Sequence, residues 1–235
     1  MKRITRKNLK SDKFAEEVTT IWDWTAEHKT EVVRYGSIAL AVVLIAAGIF
    51  YYLRYQANQR EDALAAALRI DNATVGQAQP GVMNFATEDE KKKAWDKAFT
   101  ELASKYHGTQ EGAIAEMYLA SAADDKGNLA EAEKRYKDVM DSAPTAYSSM
   151  AGIALAQVYM AQGKTADAEK ILRNYIAHPT VTVSKDEATI QLAYVIAKTN
   201  PDEARKMLEP LRADRTAVSK AAIQALGDIA QQTQK

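Results

Sequence analysis

The sequence predicts an all-α protein: a single transmembrane helix followed by an α-solenoid of stacked helix pairs. Three observations carry this expectation. A run of nineteen uncharged residues, Tyr35 to Leu53, occurs once and lies far from the N-terminus. Beyond residue 113, small, leucine and aromatic residues return at a fixed spacing of thirty-six, the mark of a repeat architecture. No segment shows sustained period-two alternation, so strands are not expected.

The chain opens on a basic head with Lys2, Arg3, Arg6, Lys7, Lys10 and Lys13. Nothing aromatic interleaves with these charges, so a nucleic-acid tail is disfavoured against a segment that touches anionic headgroups. Phe14, Val18, Ile21 and Trp22 then fall at helical spacing, with Trp24 and acidic residues around them. They predict a short amphipathic helix that lies on the cytoplasmic membrane face or docks on a membrane partner.

Tyr35 to Leu53 would reach about 28 Å as a helix, close to the hydrocarbon thickness of a bilayer. A buried core helix is disfavoured, because Lys29, Glu31 and Arg34 precede and Arg54 follows a surface that is apolar all round. A cleaved signal peptide is disfavoured too: more than thirty residues precede the run, and no small-x-small cleavage site follows it. Tyr35 at one end and Tyr51, Tyr52 and Tyr55 at the other suit the membrane interface, as do Trp22 and Trp24 before the span. Lys and Arg crowd the short N-terminal side, whereas only Arg54, Arg60 and Arg69 follow closely. This bias predicts that the N-terminal head stays in the cytoplasm while the C-terminal bulk crosses the membrane.

Lys+Arg and Asp+Glu both number 31 in the 235 residues, so no global field attracts nucleic acid. The absence of cysteine excludes disulfides, thiolate metal sites and thiol nucleophiles. It also excludes a lipid-modified cysteine, which makes the span the expected anchor.

After the span, Gln56 to Ile70 contains no breaker and is expected to prolong the helix into water. Asp71 to Phe85 holds two glycines and a proline and reads as a loop or linker. Thr87-x-x-Glu90 is a capping box, followed by Trp95, Phe99, Leu102 and Tyr106 as the apolar stripe of a helix. The expected organisation is therefore a head at 1–34, the span at 35–53, an extension and linker at 54–86 and a repeat domain at 87–235.

The repeat rests on Ala132, Ala168 and Ala204, each thirty-six residues from the next. Four residues beyond each stand Tyr136, Leu172 and Leu208. Upstream, Leu119-Ala120 and Leu155-Ala156 take matching places, and Gly127 and Gly163 mark the turns; the third copy reads Leu192-Ala193, displaced by one residue. Pro144, Pro179 and Pro210 close or follow the helices. Small residues let two helices approach, and the large residue one turn later fills the groove between neighbours. One helix pair cannot bury its own apolar face, so stacking supplies a shared core. Asn128, Ser184 and Asn200 stand where caps are needed, and no strand is called for. The pattern resembles tetratricopeptide repeats over Ala113 to Leu211.

No catalytic constellation is found, and neither an enzyme, a cofactor nor a small-molecule substrate is expected. His28, His107 and His178 have no metal-ligand spacing. Gly163-Lys164-Thr165 imitates the end of a phosphate-binding loop, but Val158 stands where the pattern needs glycine; a helix-turn-helix turn with Thr165 as N-cap is expected instead. Acidic pairs such as Asp124-Asp125 suit turns and caps, and the many tyrosines suit repeat packing.

Taken together, Glu16-Glu17, Trp22-Asp23-Trp24 and Ala26-Glu27 before the span resemble the YfgM-like family. Phe99-x-x-Leu102 with Lys105-Tyr106, the Gln162-Gly163-Lys164 turn and Leu226-Gly227-Asp228 extend the resemblance over nearly the whole chain from Asp12. It implies a bacterial inner-membrane protein with a periplasmic repeat domain, ancillary to the SecYEG translocon. The implied partners are SecYEG and a PpiD-like chaperone, and no catalytic residue is implied. Two departures stand out: the basic head is longer than the family leads one to expect, and a further, capping helix would be expected after Gly227-Asp228. The alternative is a repeat adaptor for envelope assembly or cell division without translocon contact.

Overall fold

The computed structural model describes residues 27–77, 79–213 and 217–232. The basic head, the expected amphipathic helix and the candidate interface residues Trp22 and Trp24 lie outside these residues. Helix α1 (Lys29–Asp71) contains the apolar run and the segment after it without a break, as the absence of Gly and Pro after Gly48 allows. Within it, Leu40, Val43, Leu44, Ile45 and Phe50 are exposed. Among the described residues, this is the one helix long and apolar enough to cross a membrane.

Contacts divide the chain into two units between Gln59 and Arg60. In the second unit, Ala63, Leu64, Ala67 and Leu68 of α1 enter a core with Phe99, Leu102, Ala103, Ala115 and Leu119. Arg60 reaches Glu111 at 3.2 Å, and the Trp95 Nε1–H donates to Asp71 at 2.8 Å. The last turns of α1 are thus part of the repeat unit's packing.

The segment between α1 and the next helix corrects the expectation of no strands. Two parallel strands of two residues each, β1 (Thr74–Val75) and β2 (Asn84–Phe85), pair Thr74 with Asn84 and Val75 with Phe85. Met83 accepts from the Thr74 N–H, Phe85 from the Gly76 N–H, and the Gly76 carbonyl from the Asn84 amide. Two residues are too few to show an alternation, which is why the pattern was silent.

Helices α2 (Glu88–Lys105), α3 (Gln110–Asp125), α4 (Leu129–Ser142), α5 (Thr145–Ala161), α6 (Thr165–Ala177), α7 (Lys185–Ile196), α8 (Pro201–Ala213) and α9 (Ala217–Gln232) complete the described chain. Consecutive helices pack in pairs, and α3, α5, α7 and α9 each also touch the next of that set. They form one layer; α4, α6 and α8 form the other. A core of Ala132, Leu155, Leu172, Leu192, Ala204, Leu208 and Ile229 runs between them. Helix α9 closes the end of this core with Ala222, Ala225 and Ile229, and Tyr194 of α7 donates to its Asp228 at 3.1 Å.

Caps fix the boundaries. Thr87, Thr109, Asn128 and Ser184 each accept from the N–H three residues on, at 3.1 to 3.3 Å. In the Thr87 box, Glu90 accepts from Ala86 N–H rather than from Thr87 itself. Two local expectations are corrected. The N-cap of α6 is Lys164, not Thr165: the Gly163 turn has φ +76° and Thr165 is already helical. The Lys164 ammonium, a donor only, cannot cap the helix N–H groups; it donates instead to Glu133 at 2.7 Å. Pro210 does not end α8 but lies inside it. It removes one hydrogen bond in a last turn whose solvent side can hydrate the freed carbonyl.

Between α2 and α3 the chain turns so tightly that a Cβ on Gly112 would overlap the Tyr106 carbonyl. That oxygen also accepts from Thr109 at 2.7 Å through its hydroxyl, so it is fixed. Gly112→Ala should lower stability by about 1–3 kcal/mol, the usual cost of overpacking. Urea unfolding measures it; an unchanged midpoint would contradict the described corner.

Candidate protein-binding surface

The repeat residues singled out from the sequence sit in the interior. Ala120, Ala132, Tyr136, Leu155, Ala156, Ala168, Leu172, Ala204 and Leu208 belong to the main core, and Leu119 to the core shared with α1 and α2. Tyr35, Tyr51, Tyr52 and Tyr55 are exposed on α1, with the Gln56 amide donating to the Tyr52 hydroxyl. None of these forms a site with another chemically reactive group.

The packing is close enough to dictate residue size. Gly152 of α5 receives the ring of Tyr175 from α6, where a Cβ would collide with the phenol. Burial raises the Tyr136 and Tyr175 hydroxyls above their ordinary pKa, so both stay neutral and serve as packing groups. Along the edge of the second layer, two ion links repeat with the period of the fold. Glu133 and Lys137 pair within α4, and Glu133 reaches Lys164 at the next turn; Glu169 and Arg173 pair within α6, and Arg173 reaches Glu203.

Hydrogen bonds from Lys137, then Lys164, hold the Glu133 carboxyl down at about 2. The folded pKa lies below the unfolded value of about 4.3. This link's contribution is therefore whole above that value and is lost as the pH falls through about 2. A Glu133→Gln chain should melt below the parent at neutral pH, and the gap should close as the pH approaches 2. A gap that persists in acid would contradict the assignment.

What remains for function is the surface that this packing leaves open. On α3 and α5, Tyr118, Met150 and Met160 are large apolar residues left more than a third exposed. Met117 and Ile153 beside them in sequence are only partly covered. The sequence offered a signal, since these positions fall off the buried stripe, but periodicity names the residues that pack and not those that bind. Methionine suits such a surface because its flexible, polarisable chain adapts to varied partners. A second opening of about 400 Å³ lies between α4, α5 and α6, floored by Leu155, Tyr159, Ile171 and Tyr175 and rimmed by Lys137, Asp141, Asp167 and Lys170.

Among the described residues no cluster of three His, Cys, Asp or Glu could hold a metal. His107 instead pairs with Asp138 at 3.0 Å in the open, and His178 ends α6 through its backbone N–H.

No curated protein and no solved structure matches the chain. The model of one family, described as a tetratricopeptide repeat-like domain, matches residues 31–173 and again residues 141–235. The two overlapping matches extend from the start of the apolar run through the last helix. With its paired helices, small-residue contacts and recurrent turns, the chain belongs to the tetratricopeptide repeat-like domain family.

Proposed function

We propose that this protein is a membrane-anchored scaffold whose exported repeats bind other proteins beside the Sec translocon. Repeat domains of this family type are protein–protein interaction scaffolds, and they are typically non-catalytic. The observation that carries the reading to this chain is the exposure of Tyr118, Met150 and Met160 on adjacent repeat helices. Large apolar side chains held on a rigid framework and left partly exposed are what a protein-binding surface requires.

The finer parts of the proposal have separate support. Tyr35 to Leu53 has the length and composition of a bilayer span. The basic residues before it favour a cytoplasmic head and an exported repeat domain, and the resemblance to the YfgM-like family supports a bacterial inner membrane with the repeats in the periplasm. The domain limits follow: head to 34, span 35–53, and exported chain from there. The resemblance to the YfgM-like family supports SecYEG and a PpiD-like chaperone as partners.

Mild crosslinking in membranes followed by purification of the chain tests the proposal. SecYEG or a PpiD-like chaperone should be recovered with the parent and reduced with a Met150→Lys, Met160→Lys double variant. Neither partner with the parent would refute the translocon assignment. Enrichment of the chain at division septa would favour a role in envelope assembly or division instead.

A further inference from the structure

We infer that the cleft between α4 and α6 is a second binding site, for a protein segment that presents a large apolar side chain between basic residues. The cleft shares no lining residue with the surface of Tyr118, Met150 and Met160, so it stands apart from the site proposed for the translocon partners. It exists because α4 and α6 lean on α5 rather than on each other.

The following gap, between α6 and α8, shows how such a space is closed. Arg173 of α6, held by Glu169, reaches across to Glu203 of α8 at 3.0 Å. One repeat earlier the same positions are Lys137 and Asp167, and these are not paired. The Lys137 ammonium goes to Glu133 at 2.6 Å, and the Asp167 side chain is one carbon shorter than that of Glu203. The other positions differ in kind as well. Asp141, Asn174 and Tyr175 on the cleft walls correspond to Ala177, Pro210 and Leu211. Tyr159 corresponds to Ile196, allowing for the one-residue displacement of α7. A gap closed by packing has no use for these polar groups, whereas an open one that receives a ligand with polar edges does. The open volume, about 400 Å³, is of the size of a small binding cleft.

The groups left without partners define the occupant. Among the described residues, neither an ion pair nor a hydrogen bond engages the side chains of Asp141, Asp167, Lys170 and Asn174. With Lys137 neutralised by Glu133, the free charges are two carboxylates and one ammonium. Between them lies an apolar floor of Leu155 and Ile171 with the tyrosine rings. A chain laid along the cleft would rest a large apolar side chain on this floor and set basic neighbours against the aspartates. Its backbone would meet the Asn174 amide, which both donates and accepts. An acidic segment would meet two like charges for one opposite.

Labelled synthetic peptides test this on the purified full chain in detergent, read by fluorescence anisotropy. A peptide with phenylalanine between two lysines should bind. Counterparts with glutamates for the lysines, or glycine for the phenylalanine, should bind severalfold more weakly. An Asp141→Asn, Asp167→Asn double variant should lose affinity for the lysine peptide severalfold. So should a Lys137→Arg, Asp167→Glu double variant, which keeps the net charge and rebuilds the link of Arg173 to Glu203 across the cleft. All three positions are exposed, so unfolding midpoints should not fall below the parent's. The Met150→Lys, Met160→Lys chain should bind the peptide as the parent does, so this site and the translocon proposal can fail separately. No binding of the lysine peptide, equal or tighter binding of either counterpart, or affinity that both cleft variants leave intact would overturn the inference.

Discussion

A Phe99→Ala chain is expected to lose about 3–5 kcal/mol of stability, the largest effect of any single truncation proposed for the repeat unit. Phe99 is fully buried, with Trp95 stacked at 4.5 Å on one side and Tyr118 at 4.9 Å on the other. Around it stand Ala67 from α1, Leu102 and Ala103 from α2, and Ala115 and Leu119 from α3. Removing the ring takes away the group that joins three helices, and alanines among its neighbours have no spare length to fill the space. Domains of this size keep only about 5–15 kcal/mol in reserve. Urea unfolding should show a large drop in midpoint, partly restored by Phe99→Leu. A loss under about 1 kcal/mol would mean that the site collapses freely and that the three helices do not share this core.

The second large effect concerns the apolar run. Leu44 stands at its centre, and arginine at the middle of a membrane helix is disfavoured by about 2.5–3.5 kcal/mol where leucine is favourable by about half a kcal/mol. Leu44→Arg should therefore lower the fraction of chain that resists carbonate extraction from membranes. Ala47→Leu, one turn away and more apolar, should leave it unchanged or raise it. Equal extraction of parent and Leu44→Arg would mean that Tyr35 to Leu53 does not reside in the hydrocarbon layer.

The helix pairs could be read from the sequence because close helix contacts restrict residue size. Ala132, Ala168 and Ala204 admit nothing larger, and each is followed one turn later by a side chain big enough to fill the groove. The helix starts at Thr87, Asn128 and Ser184 were legible for the same kind of reason, since one hydroxyl or amide meets one orphan N–H. The attachment of α1 to the repeat unit was not. Its segment, Arg60 to Ile70, carries alanines all round the helix, so no apolar stripe marks the side that meets Phe99. Arg60 and Glu111 lie too far apart in sequence for any spacing rule to join them. The short β1–β2 pair and the packing of α9 on α7 and α8 depend on contacts between residues whose partners the local pattern does not name. Exposed residues such as Met150 and Met160 were hidden for another reason: a binding surface is what packing leaves over, and only the assembled helices show what is left.

The size-limited positions and the open apolar ones divide the roles on this chain. Ala156, Gly152 and Tyr175 fix how α5 and α6 meet, while Met150 and Met160 on α5 contribute less to the core and remain available. A binding surface of this kind serves partners only on the side of the membrane where the repeats stand, and that side is the claim from which the proposed partners follow. It can be read directly in a chain without cysteine. A thiol placed at the exposed turn residue by Lys126→Cys should be labelled by a membrane-impermeant maleimide in intact spheroplasts. Labelling that appears only after the membrane is broken would place the repeats in the cytoplasm and contradict the proposed role at the exported side of the translocon.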